Sequence, residues 1–391
     1  MKPLKIAILT SDKRDHDRNY ADPVVSFGTA PEALLQGLAL LPGLEIHVVA
    51  CTQQPLVAPA KLAENTWFHS LQVPKFGWMR TGYQGCIRAA RRKLKEIQPD
   101  IVHGQGTERD CAISAVLSGF PSVLTIHGNM NAIARLHQAR IGSFHWLAAR
   151  LENFALPRSG GIICISDYVK NLVEKYRVPT WVVPNAIQKT FFDFPRTEVT
   201  HPERPLIVNV GVISPRKRQQ ELLAVLESLR GQKLEFDTVF VGVSDQATAY
   251  AQKFDAQLTA ADQRHGGFVH VPKLDATAIC RLLDQASAMI HFANEETFGL
   301  TFAEAVARGL HLFASDVGAV RQITQGVAGA EIFDPDDWAG MQAAVQKWLL
   351  STESRKPHGQ EPPPEFVQAF HPVSVAKRHL EIYRAVLKTV S

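Results

Sequence analysis

The sequence predicts an α/β protein built as two doubly wound parallel-sheet domains that face each other across a cleft. Three observations predict it. The length of 391 residues is too great for one compact domain and suits two of roughly 190 each. Short apolar runs rich in β-formers alternate with helical patterns almost from end to end, which is how βαβ units read. The alternation breaks once, over residues 192–205, where Pro195, Thr197, Thr200, Pro202, Glu203 and Pro205 interrupt both periodicities, and it then restarts.

In the first half the pattern predicts strands over 4–10, 45–51, 101–103, 122–126 and 161–166 and a helix over 31–41, each strand followed by a turn or a helix. After the break it predicts strands over 206–210, 237–243, 267–271, 289–292, 312–314 and 331–333, with helices over 216–229 and 275–285. A Pro-rich stretch at 361–365 ends this series, and 374–390 reads as a last amphipathic helix. The expected organisation is a first domain over 1–192, a linker over 193–205, a second domain over 206–370 and a C-terminal helix within 371–391 that crosses back to the first. Two such domains with their strand C-termini turned toward each other place a ligand at the points where strand order reverses.

Hydrophobic residues make up 46% and charged residues 20%, with 25 Gly and 23 Pro, a composition that supplies a core and excludes a disordered or fibrous chain. The longest apolar runs, 6–9 and 37–44, fall far short of the ~18 residues that span a bilayer, and no leader pattern stands at the start. A cytoplasmic protein is expected. Cys51, Cys86, Cys111, Cys164 and Cys280 are odd in number and form no C-x-x-C pair, so buried thiols are expected rather than a disulfide framework or a zinc ribbon. Residues 1–190 carry 22 Lys and Arg against 14 Asp and Glu, whereas the remainder carries 20 against 24. The basic half favours anionic partners such as phosphates, nucleic acid or a membrane surface.

The most informative stretch is Asn294-Glu295-Glu296-Thr297-Phe298-Gly299-Leu300-Thr301-Phe302-Ala303-Glu304-Ala305. A strand ends before it, a glycine loop follows, and a helix is expected to begin near Phe302 with Thr301 and Glu304 in capping-box spacing. Amides at Gly299, Leu300 and Thr301 at such a start would point at an anion, and the carboxylates of Glu296 and Glu304, eight positions apart, can accept hydrogen bonds from hydroxyls at opposite ends of a ligand. The competing reading makes Glu304 a helix cap and Glu295 or Glu296 loop solvation. A second strand end, Gly211-Val212-Ile213-Ser214-Pro215-Arg216-Lys217, also turns at a glycine into a helix. Arg216 and Lys217 there could reach a pyrophosphate, one as a planar fork and one as a point charge. Cations are mildly unfavourable at a helix N-terminus, so their crowding calls for a nearby anion.

Taken in order, the glycine turn with Arg216-Lys217, the Glu296-x7-Glu304 element with Phe298-Gly299, and Ser315-Asp316-Val317-Gly318 resemble retaining GT-B glycosyltransferases of family 4. Gly28 before a helix is similar to that family's N-terminal glycine loop, Thr125-Ile126-His127-Gly128 to its central histidine segment, and Pro184-Asn185-Ala186-Ile187 to the segment before its linker. The resemblance implies two Rossmann-like domains and a nucleotide-sugar co-substrate, a UDP-, GDP- or ADP-sugar, with no other cofactor and no metal. It implies that Glu296 binds hydroxyls of the transferred sugar and Glu304 those of the ribose. Arg216 and Lys217 would hold the departing diphosphate, with amides near Gly28, Gly211, Phe298, Gly299, Leu300 and Thr301 on the donor side. His127 would lie near sugar and acceptor, and main chain around 271–273 would hold the base.

The chain departs from the family pattern at Val212, where many members have arginine, and at Ala293, His311, Ala319 and Gln322. These departures bear on donor choice. Asp15-His16-Asp17 matches the D-x-D of metal-dependent glycosyltransferases, but it sits among Lys13, Arg14 and Arg18, and chance is the better reading. His265 and His270 form no metal set.

The expected function is a metal-independent retaining glycosyltransferase acting on an acceptor hydroxyl in cell-surface polysaccharide or glycolipid synthesis. A nucleotide-sugar epimerase of the same fold and a non-catalytic sugar-binding module stay open as alternatives. A nicotinamide enzyme is disfavoured because no G-x-G-x-x-G follows a strand. Arg88, Arg91, Arg92, Lys93 and Lys95, with Ile87, Leu94 and Ile97 interleaved, read as a basic amphipathic helix, and Arg135, Arg140, Phe144, Trp146 and Arg150 add basic and aromatic residues in the same half. The expected partners are therefore a lipid-linked or lipopolysaccharide-type acceptor and an anionic membrane surface on its cytoplasmic face, not nucleic acid.

Overall fold

The first apolar run forms β1 (Leu4–Leu9), buried from Ile6 onward. It pairs in parallel with β2 (Leu44–Thr52) on one side. In this computed structural model, which describes residues 2–196, 204–355 and 361–390, the sheet continues outward from β2 through the antiparallel pair β3 (Lys61–Ala63) and β4 (Thr66–Gln72). On the other side of β1 lie β5 (Ile101–Gln105), β6 (Ser122–Ile126), β7 (Ile162–Cys164) and β8 (Thr180–Val182), all parallel. The order β3-β4-β2-β1-β5-β6-β7-β8 reverses direction at β1. Strands buried on both faces must be apolar throughout, which is why Ile6, Ile8, Ile46, Val48, Ile101 and Val123 appear as β-branched runs and share one core.

A second sheet has the order β11-β10-β9-β12-β13-β14. Its strands are β9 (Leu206–Val210), β10 (Asp237–Val241), β11 (Phe268–Val271), β12 (Ala288–His291), β13 (His311–Ser315) and β14 (Ala330–Phe333), parallel throughout. Here the reversal falls at β9, which lies between β10 and β12. The chain divides into one unit of residues 1–188 with 369–391 and another of 189–368. The second unit thus begins at Lys189. Phe191 and Phe194 are tied to the second unit, because their carbonyls accept from Arg308 Nη1 at 3.3 and 3.0 Å. Of the segment 193–205, residues 197–203 lie outside the described residues.

The helix Pro372–Val390 belongs to the first unit. Val375, Ala376, Ile382, Tyr383 and Val386 enter the core around β1 and β2, and each large apolar side chain buried this way stabilises the fold by about 1.5–3 kcal/mol. Gly37 on the facing helix Thr29–Ala39 is required by that docking, since a Cβ there would sit 2.1 Å from the Pro372 carbonyl oxygen.

Three local expectations need correction. The helix expected from Arg216 begins only at Gln219, because Arg218 takes φ +54° and breaks the helical path. The helix expected near Phe302 begins at Leu300, and its cap residue Gly299 makes no side-chain cap, so Thr301 and Glu304 form no capping box. The basic helix Gln84–Ile97 is amphipathic as expected, but Ile87, Leu94 and Ile97 are spent on the core, leaving Arg88, Arg91, Arg92 and Lys95 as an exposed charged face. All five cysteines are free and buried. No described helix is long and apolar enough to cross a membrane.

Candidate functional site

In the second unit the reversal of strand order brings the loops after β9 and β12 side by side. The β9 loop leaves at Gly211, whose amide donates to Val241 O at 2.8 Å. It passes so close to the end of β10 that a Cβ on Gly242 would lie 1.9 Å from Gly211 O. Gln219, fully buried, holds the turn shut: its Oε1 accepts from Ser214 N at 3.2 Å and its Nε2 donates to Val212 O at 3.1 Å. The β12 loop is joined to this turn by Asn294 N donating to Arg216 O at 2.9 Å and is held to β13 by Ser315 Oγ donating to Ala293 O at 2.7 Å.

Lys217 points inward and is only 8% exposed. Its Nζ is ion-paired with the Glu296 carboxylate and donates to His291 Nε2 at 3.1 Å. Burial lowers the lysine's pKa and Glu296 works against that shift. His291, at the end of β12 and fully buried, is held neutral by burial and by the neighbouring ammonium. Glu296 is set in place by Gly318, which adopts φ +58°; a Cβ there would come within 2.0 Å of the Glu296 carbonyl oxygen. Arg216, by contrast, is exposed.

The helix Leu300–Ala307 starts where this loop ends, with Gly299 at φ +94°. A helix start leaves its first amides without intrahelical partners, and here no side chain caps them. Glu304 is 6% exposed on the first turns of that helix, and no hydrogen-bond donor reaches its carboxylate among the described residues. Burial alone lifts its pKa from 4.5 to about 7. The Phe298 ring is buried, so what it offers a ligand is main chain. The arrangement gathers a cation, open helix amides and an unpaired carboxylate around one pair of strand ends. That combination can take an anion and hydroxyls together.

In the first unit, β5 and β6 end at Gln105 and Ile126. His127, partly buried, lies within 2.8 Å of Gln105 Oε1 through its Nε2, and burial pushes its pKa down to about 4. Behind it, His103 lies within 2.7 Å of Thr125 Oγ1 and within 2.6 Å of Tyr383 OH, which ties the strand ends to the C-terminal helix. Gly28 caps the helix Thr29–Ala39 with φ −62° and has ordinary space for a side chain. Its part in this structure is to leave a helix start uncapped by a side chain.

A model of glycosyltransferase family 4 matches residues 32–191, and one of glycosyl transferases group 1 matches residues 192–361. The chain belongs to the family 4-like GT-B glycosyltransferases. Alpha-maltose-1-phosphate synthase of Mycobacterium tuberculosis is 23% identical over 296 residues, which cover 70% of this chain and 75% of that protein. Sucrose-phosphate synthase of Thermosynechococcus elongatus has the same fold at a TM-score of 0.75 and 17% identity, over 99% of this chain and 100% of the other. Anabaena HepE, solved in complex with UDP and glucose, follows at 0.69 and 14%, over 98% and 100%.

In this glycosyltransferase the sequence-derived residues fall into two groups by unit: Gly28 and His127 in the first, and Gly211, Arg216, Lys217, Glu296, Phe298, Gly299, Leu300, Thr301 and Glu304 in the second. Within the second, Lys217, Glu296 and the Gly299 helix start meet, while Arg216 turns to solvent. His291 and Gln105 were not foreseen, and Gly318 was read only as part of the Ser315-Asp316-Val317-Gly318 element. The signal for His291 was its place three residues before Asn294 at a strand end. The D-x-D triplet does not converge, because Asp15 is buried against Arg109 at 3.1 Å and accepts from Gln53 N at 2.7 Å, whereas Asp17 is exposed. Among the described residues, Cys51, Cys86 and Asp110 bring possible ligand atoms within 4.8 Å of one another in the core of the first unit.

Proposed function

We propose that this glycosyltransferase moves a sugar from a nucleotide-sugar donor to an acceptor hydroxyl, retaining the anomeric configuration and using no metal. The observation that carries the reading is the buried Lys217–Glu296 pair beside the open amides of Gly299–Thr301 and the unpaired carboxylate of Glu304. Glu296 neutralises Lys217 through their ion pair. When a diphosphate arrives, the ammonium turns to it, with Arg216 reaching in from the surface, and Glu296 is released to accept from sugar hydroxyls. Glu304 accepts from the two ribose hydroxyls, which supply the donors its carboxylate lacks.

The bond from the anomeric carbon to the diphosphate oxygen breaks as the acceptor oxygen approaches from the same face, and the acceptor proton passes to the departing phosphate. Lys217 and the helix amides act where negative charge grows, which is the most effective place for electrostatic catalysis. Neutral His127 offers a hydrogen bond to the sugar rather than a charge. HepE in complex with UDP and glucose supports a UDP-sugar among the candidates. The exposed Arg88, Arg91, Arg92 and Lys95, together with exposed Leu136, Ile141 and Phe144, support a lipid-linked or lipopolysaccharide-type acceptor at an anionic membrane. The contact would be electrostatic at the basic helix, whose apolar face is already occupied.

The test is transfer from UDP-, GDP- and ADP-sugars in EDTA, with the product's anomeric configuration read by NMR. Metal-free transfer with retention is expected. An absolute need for a divalent cation or an inverted product would overturn the mechanism. Epimerised donor without acceptor would make the protein an epimerase, and binding without turnover would make it a sugar-binding module.

A further inference from the structure

The first unit contains a cavity of about 440 Å³ that no step above uses. It lies between the helices Met130–Leu136 and Phe144–Ala155. Asn131 and Arg135 line it from one helix, Trp146, Arg150 and Asn153 from the other, and Lys175 stands at its side; it is open to solvent, and all three of its cations are exposed. Its size falls within the roughly 300–1,000 Å³ typical of small-molecule sites.

Its lining carries three cations and no acidic residue. Two of the cations rest on aromatic faces: Arg150 lies 5.1 Å from the Trp146 ring centre and Lys175 lies 4.8 Å from that of Tyr176. Such contacts hold a cation in place without cancelling its charge. The carboxylate behind the floor, Glu152, is fully buried and already engaged, accepting from Thr107 Oγ1 at 2.7 Å, Met130 N at 2.9 Å and Asn131 Nδ2 at 2.7 Å. Asn153 Nδ2 in turn donates to Asn131 Oδ1 at 2.8 Å, so the floor is a fixed amide network. Like charges facing one concave space repel, and an anion entering it relieves them all.

We infer that this cavity binds the phosphate group of a small phosphorylated molecule. Arg135 and Arg150 supply forked donors that match phosphate oxygens, Lys175 adds a point charge, and Trp146 forms an apolar wall for the carbon skeleton. The chemistry is shared by a soluble sugar phosphate and by a phospholipid headgroup, and Leu136 and Ile141, exposed on the same segment, are reason to examine both. If the protein is a transferase as read above, the molecule is its acceptor; the binding itself does not depend on that reading.

The experiment titrates the full chain calorimetrically with glucose 6-phosphate, with glucose as the neutral control, and sediments it with phosphatidylcholine vesicles with and without phosphatidic acid. The comparison is with an Arg135→Gln/Arg150→Gln variant whose fold is checked by circular dichroism. A soluble source predicts binding of glucose 6-phosphate but not glucose, weakened about tenfold or more in the variant, as expected for a lost charge-assisted hydrogen bond. A lipid source predicts sedimentation only with phosphatidic acid, weakened in the variant, with no binding of glucose 6-phosphate. Wild-type protein that binds neither probe, or a variant that keeps both the glucose 6-phosphate affinity and the phosphatidic acid sedimentation of wild type, would overturn the proposal. UDP titrated into the same samples reports separately on the donor reading.

Discussion

Replacing Glu304 by Gln is expected to stabilise the ligand-free protein and weaken nucleotide binding in one step. Glu304 is 6% exposed and its pKa stands at about 7 instead of 4.5, raised by burial alone. Below pH 4.5 the carboxyl is neutral both folded and unfolded and contributes nothing. From there to about 7 the unfolded chain gives up the proton while the folded one keeps it, so stability falls as pH rises. Above 7 the full cost is present, and at ~1.4 kcal/mol per pH unit it amounts to about 3 kcal/mol. Gln has the same shape and no charge to desolvate. The variant should therefore match wild type in urea denaturation near pH 4.5 and exceed it by up to about 3 kcal/mol at pH 8.

The same change removes the acceptor for ribose hydroxyls, which should weaken UDP binding at pH 8 by about 1.5–3 kcal/mol in calorimetry. In the wild type, UDP affinity should rise between pH 6 and 8 as Glu304 ionises. A variant no more stable than wild type at pH 8, or one that binds UDP as tightly, would refute the reasoning. A carboxylate kept in place at a cost to stability is what a binding residue looks like, whereas a structural residue would repay its burial with a partner.

Lys217→Met keeps the volume but strips Glu296 and His291 of their shared cation. Transfer should fall by a factor of about 10² to 10³, the scale of losing one transition-state donor, and kinetics with saturating donor would show it in kcat. Gly318→Ala forces a Cβ against the Glu296 carbonyl at a positive φ, so the Glu296 loop should shift and kcat should drop while UDP affinity, which rests on Glu304, changes less. His103, His127 and His379 all have pKa values lowered by burial, the latter two to about 4. The unfolded chain takes up protons first as pH falls from 6.5, so the first unit should lose stability between about pH 6.5 and 4. Urea denaturation of the Glu304→Gln variant at pH 7 and 5, where the opposing contribution of Glu304 is removed, checks this, and equal stability at both would count against neutral buried imidazoles.

Most of the fold could be read from the sequence because central parallel strands must be apolar on both faces, and runs such as those of β1, β2, β9 and β12 have few other uses. The edges were less legible. Strand β4, Thr-Trp-Phe-His-Ser-Leu-Gln, mixes polar and apolar residues because only part of it is covered. The helix Ala249–His265 buries just Ala251, Phe254, Leu258 and Ala261 in seventeen residues, too sparse a stripe to stand out.

At the site, local spacing announced Glu296, Glu304 and the glycine turns, since each lies in a loop directly after a strand or on the first turns of the helix that follows it. What spacing does not carry is the partner across the sheet. His291 looks like one more residue of a buried strand until β9 and β12 become neighbours and Lys217 meets it. The run Arg216-Lys217-Arg218 shows the same limit most clearly: from the sequence Arg216 and Lys217 alike could reach a pyrophosphate from a helix start. The left-handed turn at Arg218 instead sends the three side chains apart, Arg216 to solvent, Lys217 inward to Glu296, and Arg218 to the carbonyl of Pro335 at 2.7 Å. A backbone angle that no residue type dictates thus decides which of three adjacent cations is available to the Glu296 carboxylate.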